Sequence, residues 1–297
     1  MDGSKPLSYT FAKDFLKEAA KNFLMGFPAV RKIRSRRPRA GAMFTGDDAE
    51  LDRYAFLGLN LLREYVGGVD GKDICELGPG DYLTSGLAIL AAGARSYTVI
   101  DRFPGDYYGA IAKRWYQGIE ESWPRFYPDI TWQSDLRAAD FPEKYLDRLF
   151  MNREPIETAK TDQQYDVVCS FQVGEHVSNI DSFADLNKRL LKPAGVALHR
   201  VDFGPHDCWV TYDDPLTFLQ FPDKLWNMTG SNRGTPNRFR HQEFMKAFER
   251  AGLNVEIVKL DYFDEKSIDF EKLGKRFQQM PRESLLVGTA IYLLRGD

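Results

Sequence analysis

The chain has 297 residues, 43% hydrophobic and 28% charged, a composition that excludes bulk disorder, collagen-like repeats and a multi-span membrane protein. No apolar run is long enough for a membrane-spanning helix, and the three scattered cysteines, Cys75, Cys169 and Cys208, form no Cys-x-x-Cys pair, which argues against a disulfide framework or a structural zinc and fits a reducing, cytoplasmic setting. The net charge of −3 hides an asymmetry: residues 1–40 hold ten Lys/Arg against three Asp/Glu, so a basic arm precedes an acidic body, and nucleic acid is not expected as a partner.

Residues 1–45 read as a basic amphipathic extension. Phe11, Phe15, Ala19 and Phe23 recur at every fourth position, which predicts a helix ending near Gly26 and Pro28. Residues 31–39 follow, with six Arg/Lys in nine positions. This is no signal peptide, because Lys17, Glu18 and Lys21 interrupt the apolar stretch and the basic run comes after it. The arm reads as a helix packed on the body with a solvated linker, or as a peripheral attachment of residues 11–39 to the inner face of an anionic membrane. Contact with an RNA backbone is a third reading.

Across residues 46–297 strand-like and helix-like patterns alternate. A first strand, Asp73–Leu77, runs into Gly78-Pro79-Gly80, and a helix follows over 85–93. The second strand covers 97–100 and ends at Asp101; a helix spans 108–120. A third strand is predicted at 130–132, before Asp135, and 141–163 reads as a polar helical insertion. The fourth strand covers 165–170, followed by a helix over 182–191 and a turn at 192–195. The fifth strand is 196–203, residues 204–240 form an aromatic-rich lid over the acceptor, and a helix at 242–250 precedes strands at 255–260 and 285–294. Such alternation predicts βαβ units in a mainly parallel sheet, with ligands at the carboxyl ends of the strands.

The residues after the strands carry the chemistry. Gly78 and Gly80 permit a sharp turn and a close approach of backbone to a ligand. Asp101, 21 residues after Gly80, stands where an acid can accept both hydroxyls of a ribose. A dinucleotide and S-adenosylmethionine share these needs. The dinucleotide fingerprint fails, because Leu83 stands where its third glycine belongs. Glu76 would also repel a pyrophosphate, whereas it would attract an ammonium and a sulfonium. Walker A, His-Glu-x-x-His and Gly-x-Ser-x-Gly patterns are absent.

On these residues the chain resembles the class I S-adenosylmethionine-dependent methyltransferases. Their acid-x-Gly-x-Gly loop is matched by Glu76, Gly78 and Gly80, and their ribose acid by Asp101. Ser134-Asp135-Leu136 matches their adenine-side segment, and Ser170-Phe171-Gln172-Val173-Gly174-Glu175-His176 the loop after strand four. Leu190-Leu191-Lys192-Pro193-Ala194-Gly195 is similar to their turn before strand five, with Ala194 in place of a glycine. The resemblance covers about residues 50–295. It implies a Rossmann-like α/β fold: a mainly parallel seven-stranded sheet with helices on both faces, here with an N-terminal helical extension. It implies S-adenosyl-L-methionine as cofactor, held by Glu76, Gly78, Gly80, Asp101, Arg102, Asp135, Leu136, Ser170 and Gln172.

Candidate catalytic groups follow strands four and five. His199-Arg200-Val201-Asp202-Phe203-Gly204-Pro205-His206-Asp207 resembles a bacterial methyltransferase subgroup with His-x-x-Asp-(x)3-His-Asp at this point. In that subgroup an aromatic stretch and an Asn-Arg pair follow, here residues 217–226 and Asn237-Arg238. His206, oriented by Asp202 or Asp207, is the favoured base for a hydroxyl acceptor, and His176 the competing one. Each can also be read as a structural hydrogen-bonding residue or a metal ligand. Relatives that bind a divalent ion carry Glu-x-x-Glu-His; Gln172 replaces the first Glu, so no metal is expected. His199 and His241 read as structural. The expected activity is O-methylation of a sugar hydroxyl on a small or glycan-linked acceptor. Rival readings are N-methylation or aromatic O-methylation, a non-catalytic binding module, and an oxidoreductase suggested by Tyr262 and Lys266, which lie too late in the chain.

Overall fold

The computed structural model describes residues 7–27, 29–30, 47–206, 214–230, 232 and 235–296. The basic run at 31–39 and Asp207, Cys208, Trp209 and Tyr212 lie outside them, as do the side chains of 7–12, Phe11 included.

Seven strands make one sheet: β1 (Asp73–Leu77), β2 (Ser96–Ile100), β3 (Leu149–Asn152), β4 (Tyr165–Phe171), β5 (Leu191–Asp202), β6 (Leu253–Tyr262) and β7 (Val287–Gly296). Their order is β3-β2-β1-β4-β5-β7-β6. The first five are mutually parallel, and β7 runs antiparallel between β5 and β6. Every residue of β2 and four of five in β1 are buried, as expected of strands covered on both faces.

Helices supply the cover. On one face lie α2 (Leu57–Val66), α3 (Thr84–Ala91) and α4 (Ala110–Phe126). On the other lie α5 (Ile180–Leu190) and α7 (His241–Arg250). Asn179 caps α5 by accepting the N–H of Ser182. Helix α3 approaches β2 closely because position 86 is glycine; a Cβ there would stand 2.3 Å from the Tyr97 ring. Helices α1 (Leu7–Met25) and α6 (Asp223–Gly230) pack on each other. No helix among the described residues is long and apolar enough to cross a membrane.

The fold is the Rossmann-like α/β sheet expected, with three local corrections. The third strand is not at 130–132. Trp123 Nε1 donates to the Ile130 carbonyl and Trp132 Nε1 to that of Leu136, so this stretch is a loop held by indoles. Strand β3 comes instead from Leu149–Asn152, inside the segment read as a helical insertion. The turn at 192–195 is a bulge within β5, whose pairing jumps from Tyr165↔Leu191 to Val167↔Val196. Residues 204–240 are not simply a lid. Leu216, Phe218, Leu219 and Trp226 are buried against Ile268, Leu273, Phe277 and Leu285, a core of their own.

Candidate functional site

Strand order reverses between β1 and β4, the switch point where open α/β sheets bind ligands. Along the carboxyl edge stand Asn152 at the end of β3, Asp101 after β2, Gly78 and Gly80 after β1, Gln172 after β4, Asp202 at the end of β5 and His206 beyond it.

The β1 loop is shaped by its glycines. Gly78 has φ 68° and Gly80 has φ 85°, left-handed values that favour glycine. Gly78 N–H donates to the Ile100 carbonyl at 2.9 Å, pinning the loop to the end of β2. A Cβ at Gly78 would meet Val173 at 2.8 Å, whereas at Gly80 it would meet nothing within 4 Å. The loop is thus packed on the β4 side and open at its tip.

Glu76 is buried, and its Oε2 accepts a short hydrogen bond from the Tyr97 hydroxyl. Burial pushes its carboxyl up to about 7, against the pull of that hydrogen bond, and the charge of Asp101 adds to the rise. Asp101 is itself buried and accepts the Phe103 N–H at 2.6 Å, which fixes the carboxylate at the mouth of the sheet. Arg102 points outward over the Phe103 ring, 4.9 Å from its centre.

The β4 and β5 loops converge on a cluster of titratable groups. Gln172 and His206 have left-handed φ, 62° and 42°, and such strain in a non-glycine residue concentrates at functional sites. His206 Nε2 lies 3.6 Å from both Asp202 Oδ2 and Glu175 Oε1. Its ring meets that of His176 edge-on at 5.2 Å. Asp202 is also held by the Gly204 N–H at 2.8 Å. Although burial raises its carboxyl, His206 and that N–H bring it below the usual carboxylate value.

Glu175 is only 2% exposed, and its carboxyl is approached by His206 Nε2 at 3.6 Å and by the backbone N–H groups of Glu175 and Asp202. Burial pushes its pKa up to about 8, opposed by the nearby His206. Asn237 holds this loop from behind, with Nδ2 donating to the Gly174 and Val177 carbonyls at 2.8 and 2.9 Å. One donor atom each from Glu175, His176 and His206 falls within 4.8 Å of the others. The expectation of no metal rested on Gln172; the structure supplies a further donor from β5, and two His with a carboxylate are a recognised divalent-ion set.

Three predicted cofactor residues stand elsewhere. Asp135 is largely exposed and pairs at 3.2 Å with Arg148, at the amino-terminal end of β3. Leu136 is fully buried in the core. Ser170 donates to His199 Nδ1 at 2.8 Å, and His199 Nε2 meets Asn187 Oδ1 at 2.8 Å, so all three belong to a buried polar network under the sheet. Burial holds His199 neutral, with its pKa down at about 3. His241 bonds the Tyr292 hydroxyl at 2.7 Å, a structural role as expected. Sequence reasoning missed the Tyr97 hydroxyl on Glu76 and the place of Glu175 beside His206. Only Glu175, adjacent to a candidate His, carried a signal.

Residues 48–258 match the family described as methyltransferase domain. No curated protein matches the chain. Among solved structures, the chain is similar to the YcgJ protein from Bacillus subtilis, at 11% identity over 82% of this chain and 99% of that one, TM-score 0.45. An S-adenosylmethionine-dependent methyltransferase from Mesorhizobium loti aligns at 12% identity over 80% and 96%, TM-score 0.44. Phosphoethanolamine N-methyltransferase 2 from Haemonchus contortus, in complex with S-adenosyl-L-methionine, aligns at 13% identity over 81% and 52%, TM-score 0.45.

Proposed function

We propose a function from this premise: the chain belongs to the methyltransferase-domain family and is an S-adenosylmethionine-dependent methyltransferase. In our reading it O-methylates a hydroxyl acceptor, with a sugar of a small or glycan-linked compound as the substrate class. The observation that carries the hydroxyl reading is His206 set between Asp202 and Glu175.

The residues after β1 and β2 fit the cofactor. Gly80 leaves open space beside backbone, Glu76 offers a buried carboxylate to the ammonium end, and Asp101 offers one to the ribose hydroxyls. S-adenosylmethionine supplies a methyl on a sulfonium, passed in line to the acceptor oxygen while the carbon–sulfur electron pair returns to sulfur. An acceptor hydroxyl must lose its proton as the new bond forms, and His206 receives it. The imidazolium so made is met at Nε2 by the Asp202 carboxylate, with the Glu175 carboxyl at the same distance, the orienting logic of a base backed by a carboxylate.

Two experiments test this. Titration with S-adenosylhomocysteine should show binding that Asp101→Ala weakens by roughly 10–100-fold, the loss expected for hydrogen bonds to a charged group. Unchanged affinity in the variant would remove Asp101 from the cofactor site. Labelled methyl should then pass to alkali-stable ethers in a panel of sugars and glycolipids. Label on amines only would replace the hydroxyl reading by N-methylation.

A second reading has its own observation: the donor triad of Glu175, His176 and His206. A divalent ion there would itself lower the pKa of a bound acceptor hydroxyl. Removal of metal by a chelator should then abolish transfer, and Mg²⁺ or Mn²⁺ should restore it. Activity unaffected by chelation leaves His206 as the base.

A further inference from the structure

Among the described residues, twelve large apolar side chains are exposed, and six of them sit on the α1–α6 pair: Leu16, Phe23, Leu24, Phe27, Leu225 and Met228. The pair is a fixed unit. Asn22, buried in α1, donates to the Met228 carbonyl at 3.0 Å, and its Oδ1 accepts the Asn232 N–H at 2.8 Å. At 3.6 residues per turn, Asn22 and Glu18 lie on one side of α1, and Leu16, Phe23 and Leu24 on another. Phe27, just past the helix end, meets Phe23 edge-on at 5.4 Å. Phe23 is 67% exposed, although its neighbour Asn22 is 4% exposed, so the helix presents its apolar stripe outward and its polar anchor inward.

Charge decides what covers this stripe. Lys13 and Lys17 are exposed beside it, while Lys21, one turn on, pairs with Glu18 at 2.6 Å. The chain then continues into six Arg/Lys within residues 31–39. A second copy meeting this face by twofold symmetry would set lysines against lysines. An anionic lipid surface satisfies both features, taking the apolar side chains at the acyl boundary and the cations among the headgroups.

We infer that the α1–α6 face docks the enzyme on anionic membrane. Docking of this kind is peripheral. It also bears on the site: Trp226 of α6 donates to the Pro236 carbonyl at 2.9 Å, and Asn237, next in the chain, holds the Glu175–His176 loop. The docked face is therefore linked by one short segment to the acceptor cluster. Its use for a lipid-linked acceptor rests on the function proposed above; the docking itself does not.

The test is flotation of the full chain with vesicles of phosphatidylcholine alone and of phosphatidylcholine with phosphatidylglycerol. Binding should require the anionic lipid and fall at high salt. Phe23→Asp with Leu24→Asp should lower partitioning by about a hundredfold, and separately Lys13→Glu with Lys17→Glu by at least about tenfold. Both variants should bind S-adenosylhomocysteine as the parent does, which shows that they fold and separates this result from any failure of the proposed chemistry. Equal partitioning of parent and variants overturns the inference, as does absence of binding to anionic vesicles. A solution dimer that Phe23→Asp dissociates would assign the face to a second copy and overturn it too.

Discussion

His206→Gln is expected to slow methyl transfer to a hydroxyl acceptor by roughly 10²–10⁴-fold, the usual worth of a positioned general base, while S-adenosylhomocysteine affinity stays within about threefold, no more than one modest hydrogen bond. The split follows from the layout of the sheet edge. Asp101 and the glycine loop follow β2 and β1, whereas His206 follows β5, beyond β4. Asp202→Asn should cost less, because it removes a group that orients the imidazole and leaves the imidazole itself in place. The double variant of His206 and Asp202 should be no slower than His206→Gln alone, because a carboxylate that acts only through the imidazole has nothing left to orient. Transfer retained within a few-fold in His206→Gln would end the base assignment and favour an amine acceptor, whose nitrogen needs no strong base. If transfer is lost but returns on raising Mn²⁺, the imidazole is a ligand and the divalent-ion reading prevails.

What the sequence disclosed, and what it hid, follows from where information is local. The loop after β1, the acid after β2 and the histidines after β4 and β5 were legible because each is tied to the end of a strand whose apolar run is unmistakable. Strand β3 was not, because Leu149–Asn152 is four residues long and only Leu149 is fully buried. Residues 130–132 carry the stronger β-type pattern, but the indoles of Trp123 and Trp132 use the backbone carbonyls nearby. That misplacement put Asp135 at the wrong end of the sheet. Ser170 stands elsewhere for a different reason: period-two alternation cannot say which of two helix-covered faces a central-strand side chain meets, and its hydroxyl is spent on His199. The Glu76–Tyr97 bond joins residues on adjacent strands whose hydroxyl-to-carboxylate reach depends on Gly86 admitting the tyrosine ring. No local pattern marks such a pair. The helix of the extension was legible from its four-residue period, but its docking on α6 through Asn22 depends on a partner more than two hundred residues away.

Glu76→Gln should weaken cofactor binding and strengthen the fold, two effects of opposite sign from one buried charge. The wild-type carboxyl titrates at about 7, raised from 4.5 by burial. If it must be ionised to meet the ammonium of S-adenosylhomocysteine, affinity should rise by about tenfold per pH unit from 5 to 7 and then level off. The amide carries no charge, so the variant should lose that slope and bind roughly 10–100-fold more weakly at pH 8, the worth of a hydrogen bond between charged groups. Stability runs the other way. A carboxyl whose folded pKa exceeds its unfolded one binds more protons in the native state, so the unliganded wild type loses stability as pH rises from 4.5 through 7. A shift of that size is worth on the order of 3 kcal/mol by pH 8. Glutamine keeps the shape and can still accept from the Tyr97 hydroxyl, so the variant should melt at nearly the same temperature as the wild type at pH 5 and above it at pH 8. Thermal melts and titrations at those two pH values read both effects on the same samples. A pH-independent wild-type affinity would take Glu76 out of the ammonium site, and a variant less stable than wild type at pH 8 would show that the buried carboxylate is held by contacts stronger than its desolvation.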